Sequence, residues 1–455
     1  MNFAELLFCG VSDLKDLRMV LGLETGGILV YPELFEDVSQ FVEAMHLLKG
    51  QRVFVSCDHE GGQLETVPFV PPSPGNLLLG RTDPRFVRSY CEMAGNFLRK
   101  LGFNSVFAPV LDVKRDYSNA VVGYRSFGKD PKLVAEMGKA SIEGYKSAKI
   151  LPCAKHFPGH GRSRKDSHEE FEVIDASIEE LQEDLLPFRE AINAKVDFVM
   201  LAHLVYSSLD TKPASISRKI VQEILREQLS FEGIVLSDAV EMKALSKRFK
   251  PSQIVQEFFN ASGDMLIVSK AKNVKGYLEA IQENLQAGRI SKRTIERAID
   301  RVNSRLLQVQ SDVAELFEAI EKAVEMRVSS LRPSPTLLVL ADEVSYSQAD
   351  VSSSYVSTIK KQARRYLNAR CISFSQVRAI DAKHLLLDLI VDVSEDEISL
   401  HRQLSRKFPT IYIITRNPHL AEHFSDKPHV VTYSLSPLVM GYVFRKLSQL
   451  FQGGV

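Results

Sequence analysis

The stretch FEGIVLSDAVEM, residues 231–242, joins a short apolar run to an aspartate and then to residues that can begin a helix. A nearly continuous apolar run of this length is typical of a strand covered on both faces, as in a parallel sheet. Amphipathic segments, such as residues 175–194 and 218–229, separate many runs of this kind. Eight strands alternating with helices over about 270 residues predict a TIM-like (β/α)8 barrel. The other seven runs are LLFCG (6–10), GGILVY (26–31), VFVSCD (53–58), SVFAPVLDV (105–113), LPCAKHF (151–157), DFVMLAHLV (197–205) and DMLIVS (264–269).

A second domain is predicted after the proline-broken linker SSLRPSPT, residues 329–336. Three helical stretches between Val274 and Arg327 precede this linker and are expected to complete the barrel. Beyond it, apolar runs such as TIYIITRN alternate with helix-like segments, which predicts a smaller three-layer α/β domain with a mainly parallel sheet. We therefore expect the barrel at residues 1–330 and the C-terminal α/β domain at residues 331–455.

The composition excludes several classes of protein. The 455 residues contain 57 Lys and Arg against 57 Asp and Glu, so no basic excess indicates a nucleic-acid partner. No run reaches the ~18 uncharged apolar residues of a membrane span. Five scattered cysteines without a CxxC pair argue against a disulfide framework or a thiolate zinc site. Because the first residues also lack a basic leader, we predict a cytoplasmic protein with no membrane association, and the oligomeric state stays open.

Polar residues stand at the ends of several predicted strands. In a (β/α)8 barrel the active site lies at the carboxyl ends of the strands, so these side chains should meet at one mouth. Asp238 can instead cap a helix that begins at Ala239, and Asp58 can be a turn residue before two glycines. The residues expected at the mouth are Asp58, Asp112, Lys155 with His156, His203 and Asp238.

The segment KHFPGHGRSRKDSH, residues 155–168, holds three of the eleven histidines. A metal is disfavoured because HExxH is absent and the flexible FPGHGRSR would not fix the orientation of ligands. A nucleotide cofactor is disfavoured because GHGRSR lacks the third glycine of the dinucleotide fingerprint. Asp166 and His168 flank one serine, so their side chains can form an acid–base dyad, although DSH alone also fits a solvated turn. We therefore predict no metal and no cofactor.

Several motifs together resemble family 3 glycoside hydrolases, and especially the bacterial β-N-acetylhexosaminidases of peptidoglycan recycling. The resemblance runs in order from about residue 5 to residue 270 and supports a barrel that acts on sugars. KHFPGHG followed by DSH is the most specific match. The other matching motifs are DHEGG, GYRSFGKDP, QEDLLPF, VMLAHLVY and GIVLSDAVEM.

The resemblance implies a role for each matching residue. Asp238 matches the catalytic nucleophile, His168 the acid/base and Asp166 its partner in an Asp–His dyad on a mobile loop. The glycines and proline before the dyad are expected to let that loop close over the substrate. The implied substrate is an amino sugar or muropeptide, specifically an N-acetylglucosamine–anhydro-N-acetylmuramic acid fragment, cleaved with retention. The residues implied to bind the sugar are Asp58, Arg125, Lys155 and His156.

The chain departs from the family pattern after EGG, where relatives carry an arginine that holds the terminal sugar. EGGQLETV places Thr66 at that position, so either Arg81 or another residue substitutes, or the sugar contacts differ from those of the relatives. Two rival functions remain. A phosphorylase is possible because an imidazole acid/base does not repel phosphate, and a non-catalytic sugar-binding relative is possible if the altered pocket has lost turnover.

Overall fold

The computed structural model describes residues 2–35, 38–62, 64–115, 122–163, 172–307, 325–327, 336–340, 353–373, 376–377, 383–391, 395–415, 418–432 and 437–452. The chain forms two compact units, Met1–Glu36 with Leu47–Val313, and Asp37–His46 with Ala314–Val455. The predicted domain boundary between residues 330 and 331 lies outside the described residues and stays a prediction. No helix in the described part of the chain is long and apolar enough to cross a membrane.

Eight parallel strands form the barrel of the first unit, and each lies within, or within one residue of, a predicted apolar run. Their order around the sheet is β3-β2-β1-β8-β7-β6-β5-β4. The barrel closes between β3 and β4, where the Asn104 and Phe107 amides donate to the Val55 and Cys57 carbonyls at 3.1 and 3.0 Å. The predicted TIM-like fold is thus confirmed. The strands are β1 Leu7–Val11, β2 Gly27–Val30, β3 Phe54–Ser56, β4 Ser105–Val106, β5 Leu151–Phe157, β6 Phe198–Leu201, β7 Ile234–Ala239 and β8 Met265–Val268.

Aromatic rings fill the interior of the barrel. Phe8 lies against Phe107 with ring centroids 5.0 Å apart, and Phe54 meets Phe198 edge-on at 5.1 Å. Strands β3 and β6 are not neighbours in the sheet, so the rings of Phe54 and Phe198 can meet only inside the barrel. All four rings are fully buried. The barrel is therefore a packed core that leaves room for a site only at its ends.

Helices alternate with the strands along the chain. Asp83 and Asp130 cap helices that begin with proline, and Ser177 forms a capping box with Glu180. Two of the three helices expected between Val274 and Arg327 are described, and the third falls on undescribed residues. The helices are α1 Leu14–Gly22, α2 Val38–Leu48, α3 Pro84–Lys100, α4 Pro131–Ser147, α5 Ile178–Asn193, the π-helical α6 Lys219–Gln228, α7 Pro251–Asn260, α8 Val274–Gln286 and α9 Lys292–Leu306.

The second unit contains a six-stranded sheet in the order β9-β14-β13-β12-β10-β11, in which only β9 is antiparallel. Leu387 and Ile413 pack on one face with Val443, and Ile390 and Ile414 pack on the other, which gives three layers. The smaller α/β domain is thus observed as predicted. Its elements are β9 Glu325–Arg327, β10 Thr336–Leu340, α10 Ser353–Leu367, β11 Arg370–Ser373, β12 Leu385–Val391, α11 Glu395–Lys407, β13 Thr410–Thr415, β14 His429–Val431 and α12 Pro437–Gln452.

Candidate active site

A cavity of about 590 Å³ opens at the carboxyl ends of the barrel strands. Leu29, Phe107, Met200 and Ile267 give it a buried apolar floor. Five residues predicted from the sequence line it, namely Asp58, Arg125, Lys155, His156 and Asp238. Further polar residues of the lining are Tyr31, His160, Glu241, Lys243, Ser269 and Lys270.

Two residues expected at the mouth are placed differently. Asp112 and His203 are both buried, and neither is part of the cavity lining. Each contacts a residue of the cavity wall instead: Asp112 binds His156, and His203 binds the backbone of Ala239. Both therefore lie at the carboxyl ends of the strands as expected, but their polar atoms bind protein groups behind the cavity wall.

Four charged side chains form a compact cluster on one side of the cavity. The Lys155 ammonium lies 2.5 Å from Asp58 Oδ1 and 2.6 Å from Glu60 Oε1. The Arg125 guanidinium holds Glu60 through two hydrogen bonds of 2.7 and 2.8 Å. Two cations thus face two carboxylates, so the cluster is neutral as a whole. We call Asp58, Glu60, Arg125 and Lys155 the charged cluster.

The charges in this cluster are fixed by one another. Burial alone would raise the pKa of Glu60, but Arg125 and Lys155 hold it well below its ordinary value. Burial alone would lower the pKa of Lys155, but Asp58 and Glu60 raise it above its ordinary value. Arg125 and Lys155 therefore stay charged where they line the cavity, and Glu60 is the ionised carboxylate that holds both of them. Sequence reasoning missed Glu60, although the need of Lys155 for a buried counter-ion could have indicated it.

Asp112 orients the His156 imidazole from behind. Its Oδ2 lies 2.8 Å from His156 Nδ1, and its Oδ1 accepts from the backbone amides of His156 and His160 at 3.1 and 2.7 Å. Burial opposes ionisation of Asp112, but His156 keeps the pKa of this carboxyl below its ordinary value. Because a carboxylate only accepts, His156 Nδ1 carries a proton, and its Nε2 lies 3.5 Å from Arg125 Nη2.

Asp238 stands at the end of β7, where the pairing with β8 shifts register between Leu236 and Ala239. Its Oδ1 accepts from the backbone amide of Ala239 at 2.7 Å. The alternative that Asp238 caps a helix starting at Ala239 is wrong, because the next helix is a short one at Lys243–Ser246. Asp238 instead lines the cavity, as do Asp58, Arg125 and Lys155.

Glu241 and Tyr31 complete the wall, and neither was singled out from the sequence. Glu241 accepts from the Ser269 amide and hydroxyl at 2.8 and 2.9 Å, and from Asn273 Nδ2 at 3.1 Å, which ties the ends of β7 and β8 together. Burial and the nearby carboxylates of Asp58, Glu241 and Asp238 raise the pKa of Tyr31 well above its ordinary value. Tyr31 is therefore a hydroxyl donor rather than a phenolate.

The predicted dyad, Asp166 and His168, lies in residues 164–171, outside the described residues, and its role stays a prediction. The two residues that border this segment are joined, since Ser163 Oγ donates to Glu172 Oε2 at 2.5 Å. Within the described ranges, no group of three or more His, Cys, Asp or Glu side chains is arranged to hold a metal ion.

Neither Thr66 nor Arg81 lines the cavity, so neither takes the place of the arginine that the family pattern has after EGG. Thr66 is buried, and its hydroxyl donates to the Asp58 carbonyl at 2.6 Å, so it supports the backbone of a cavity residue. Arg81 is exposed and lines a separate pocket of about 290 Å³ with Leu78 and Tyr124. The expected substitution by Arg81 is therefore not observed.

Comparisons with known proteins show which family and which solved structures the chain resembles. The model of the glycosyl hydrolase family 3 N-terminal domain matches residues 11–305. The chain is 27% identical over 320 residues to β-hexosaminidase A of Pseudoalteromonas piscicida, covering 63% of this chain and 54% of that protein's length. It is 35% identical to zinc-bound CbsA from Thermotoga neapolitana over all of both chains, with a TM-score of 0.85. It is 34% identical to the β-N-acetylglucosaminidase from Thermotoga maritima, covering 99% of this chain and 100% of that one, with a TM-score of 0.83.

Proposed function

We propose that this chain, which belongs to glycosyl hydrolase family 3, is a retaining, exo-acting β-N-acetylglucosaminidase. The observation that carries the proposal is that Asp238, at the end of β7, lines the same cavity as Asp58, Arg125 and Lys155. The similarity to the Thermotoga maritima β-N-acetylglucosaminidase over nearly the whole chain supports the choice of an N-acetylamino sugar.

The charged cluster and His156 would bind the terminal sugar. Ionised donors and acceptors form stronger hydrogen bonds with hydroxyls than neutral groups do. Asp58 offers carboxylate oxygens, Lys155 and Arg125 offer donors, and His156 lines the same cavity. The apolar floor closes the cavity beneath them, so a sugar chain enters by its end and does not pass through. This shape supports exo cleavage.

Asp238 would act as the nucleophile. Its oxygen attacks the anomeric carbon while the bond to the leaving oxygen breaks and His168, held by Asp166, donates its proton to that oxygen. Water then attacks the same carbon and gives a proton to His168, which releases Asp238 and the sugar with retained configuration. Retaining enzymes hold the two groups only ~5–5.5 Å apart, so His168 must reach the mouth beside Asp238.

The natural substrate we propose is an N-acetylglucosamine–anhydro-N-acetylmuramic acid fragment, with or without peptide, and the process is cell-wall recycling. This part of the proposal is supported by the motif resemblance in residues 5–270. The predicted cytoplasmic location belongs to the same proposal, and the five free cysteines, four of them buried, are compatible with it.

Hydrolysis of an aryl N-acetyl-β-glucosaminide, measured beside the plain aryl β-glucoside, tests the proposal. We expect rapid release of N-acetylglucosamine and little reaction with the glucoside. Equal rates on both would contradict a hexosaminidase. Sugar 1-phosphate formed in phosphate buffer would identify a phosphorylase, and binding without turnover would identify a non-catalytic relative.

A further inference from the structure

His203 lies just beyond the end of β6, buried against the strand that carries Asp238. The ring is 1% exposed, and both of its nitrogens are engaged. Nδ1 lies 2.8 Å from Ser215 Oγ, and Nε2 lies 3.1 Å from the Ala239 carbonyl oxygen. The imidazole therefore joins the loop after β6 to the residue that directly follows the proposed nucleophile.

The partners of the ring decide its tautomer. A carbonyl oxygen only accepts hydrogen bonds, so His203 Nε2 must carry the proton. In the neutral ring Nδ1 then accepts, and the Ser215 hydroxyl donates to it. Burial lowers the pKa of His203 below its ordinary value, although the Asp238 carboxylate opposes this. The ring is thus neutral at neutral pH, with its donor aimed at β7.

Ala239 is the point at which this donor acts on the nucleophile. Its amide donates to Asp238 Oδ1 at 2.7 Å, while its carbonyl accepts from His203. The strand is irregular here, because the register against β8 shifts between Leu236 and Ala239, and Ser237 Oγ accepts the Ile267 amide at 2.9 Å. Irregular strand ends of this kind re-aim side chains, and they need substitutes for the missing sheet hydrogen bonds.

We propose that His203 is a positioning residue for the nucleophile. By holding the Ala239 carbonyl it fixes the backbone of residue 239, whose amide in turn fixes the Asp238 carboxylate. The inference rests on the proposed function of Asp238. It adds that a buried, neutral histidine with no contact to the sugar controls the rate of attack.

The test compares His203→Phe and His203→Gln with Ser215→Ala. Phenylalanine fills the space without a donor, glutamine restores a donor, and Ser215→Ala removes only the other hydrogen bond of the ring. Each variant is assayed on an aryl N-acetyl-β-glucosaminide, with active sites counted by titration and folding followed by thermal unfolding. Steady-state constants are combined with the pre-steady-state rate of glycosyl-enzyme formation.

We expect His203→Phe to lower kcat and the rate of glycosyl-enzyme formation by roughly 10²-fold per active site, since small displacements of a reacting group cost about that much. KM should change little, because the charged cluster is untouched. His203→Gln should recover most of the loss, and Ser215→Ala should lose less than His203→Phe. The pH limbs of kcat/KM should stay where they are in His203→Gln, since the neutral ring takes no part in proton transfer.

Unchanged kcat per titrated site in His203→Phe, with only lower thermal stability, would reduce His203 to a packing residue and overturn the inference. A displaced pH limb in His203→Gln would also overturn it, by making the ring a titrating group. Failure of the proposed function itself is separate, because it would appear as retained activity in Asp238→Ala.

Discussion

Glu60 is the residue on which the charged cluster depends. It is fully buried and accepts from Arg125 and Lys155 at once. A buried carboxylate and the two cations that bind it stabilise the fold only together. Removing one charged group leaves its partner buried without a counter-ion. Glu60 therefore acts on the sugar pocket through the two cations it holds.

Glu60→Gln should destabilise the protein and weaken sugar binding. The change keeps the shape but leaves Lys155 and Arg125 with Asp58 alone, and breaking a buried pair costs about 3–5 kcal/mol. We expect a loss of that order in the free energy of unfolding measured in urea. KM should rise as well, because the donors no longer hold their positions.

Glu183→Gln is the matched control. Glu183 is 60% exposed and pairs with Arg115 at 2.9 Å, so its loss should cost under about 1 kcal/mol. Equal stability of the Glu60 and Glu183 variants would show that the charged cluster does not stabilise the fold.

His160 predicts how stability depends on pH. Burial lowers its pKa to about 4 from an ordinary 6.5. Because the unfolded chain binds the proton more tightly, stability is fully present above about pH 6.5 and is lost as the pH falls toward about 4. A shift of this size corresponds to roughly 3 kcal/mol at most.

His160→Asn should therefore flatten the pH dependence of the free energy of unfolding in that window. Urea unfolding of both proteins at several acidic pH values measures the difference in slope. Parallel curves for the variant and the parent would mean that His160 does not resist protonation in the folded state.

Helix α5 anchors the first residues of two loops at the carboxyl ends of the strands. Asp184 accepts from Arg115 at 2.7 and 2.9 Å and from Arg162 at 2.5 Å. These arginines lie on the loops that follow β4 and β5. The second loop leads into residues 164–171, which carry Asp166 and His168, so α5 fixes the base from which the proposed dyad starts.

Asp184→Asn should lower activity most on substrates with poor leaving groups. The two arginines lose their shared carboxylate, and His168 would then be less well placed to protonate the leaving oxygen. We expect kcat on an N-acetylglucosamine–anhydro-N-acetylmuramic acid disaccharide to fall by about 10-fold, with a smaller decrease on activated aryl glycosides. Glu180→Gln is the control, because Glu180 is a half-exposed partner of Arg162. An equal loss on every substrate would contradict the link to the acid.

The strands were predictable from the sequence because parallel strands covered on both faces consist of nearly continuous apolar residues. The glycines of KHFPGHG have a structural role that the sequence did not indicate, while closure of the following loop stays a prediction. Gly159 has a φ of +132°, and a Cβ on Gly161 would lie 1.7 Å from the Val113 carbonyl oxygen. Gly159 therefore permits a backbone conformation that other residues rarely adopt, and Gly161 permits close packing against the backbone of the loop after β4.

The polar partners inside the site could not be predicted, because they depend on contacts distant in sequence. Glu60 meets Arg125 across 65 residues, and His203 reaches Ala239 across 36. Strand ends identify which residues converge on a mouth. The positions of the strand ends do not determine which side chain lines the cavity and which one supports the wall from behind. Asp112 and His203 have the supporting role.

For the molecule as a whole, we expect that hydrolysis does not require a divalent metal. Asp58 and Glu60 are already engaged by Lys155 and Arg125, and Asp112 is engaged by His156. Exhaustive chelation should therefore leave the hydrolysis rate unchanged, measured on an aryl N-acetyl-β-glucosaminide. Loss of activity that added zinc restores would show that histidines of residues 155–168 are ligands, and would overturn the acid–base mechanism.

The proposed mechanism requires that Asp238, at the end of β7, forms a covalent bond to the sugar. Trapping the enzyme with a fluorinated N-acetylglucosaminide that forms a slowly hydrolysed intermediate, followed by peptide mapping with mass spectrometry, tests it most directly. We expect one glycosylated peptide, with the sugar on Asp238 and no adduct in Asp238→Ala. An adduct on another carboxylate, or turnover that inverts the anomeric centre without any adduct, would contradict it.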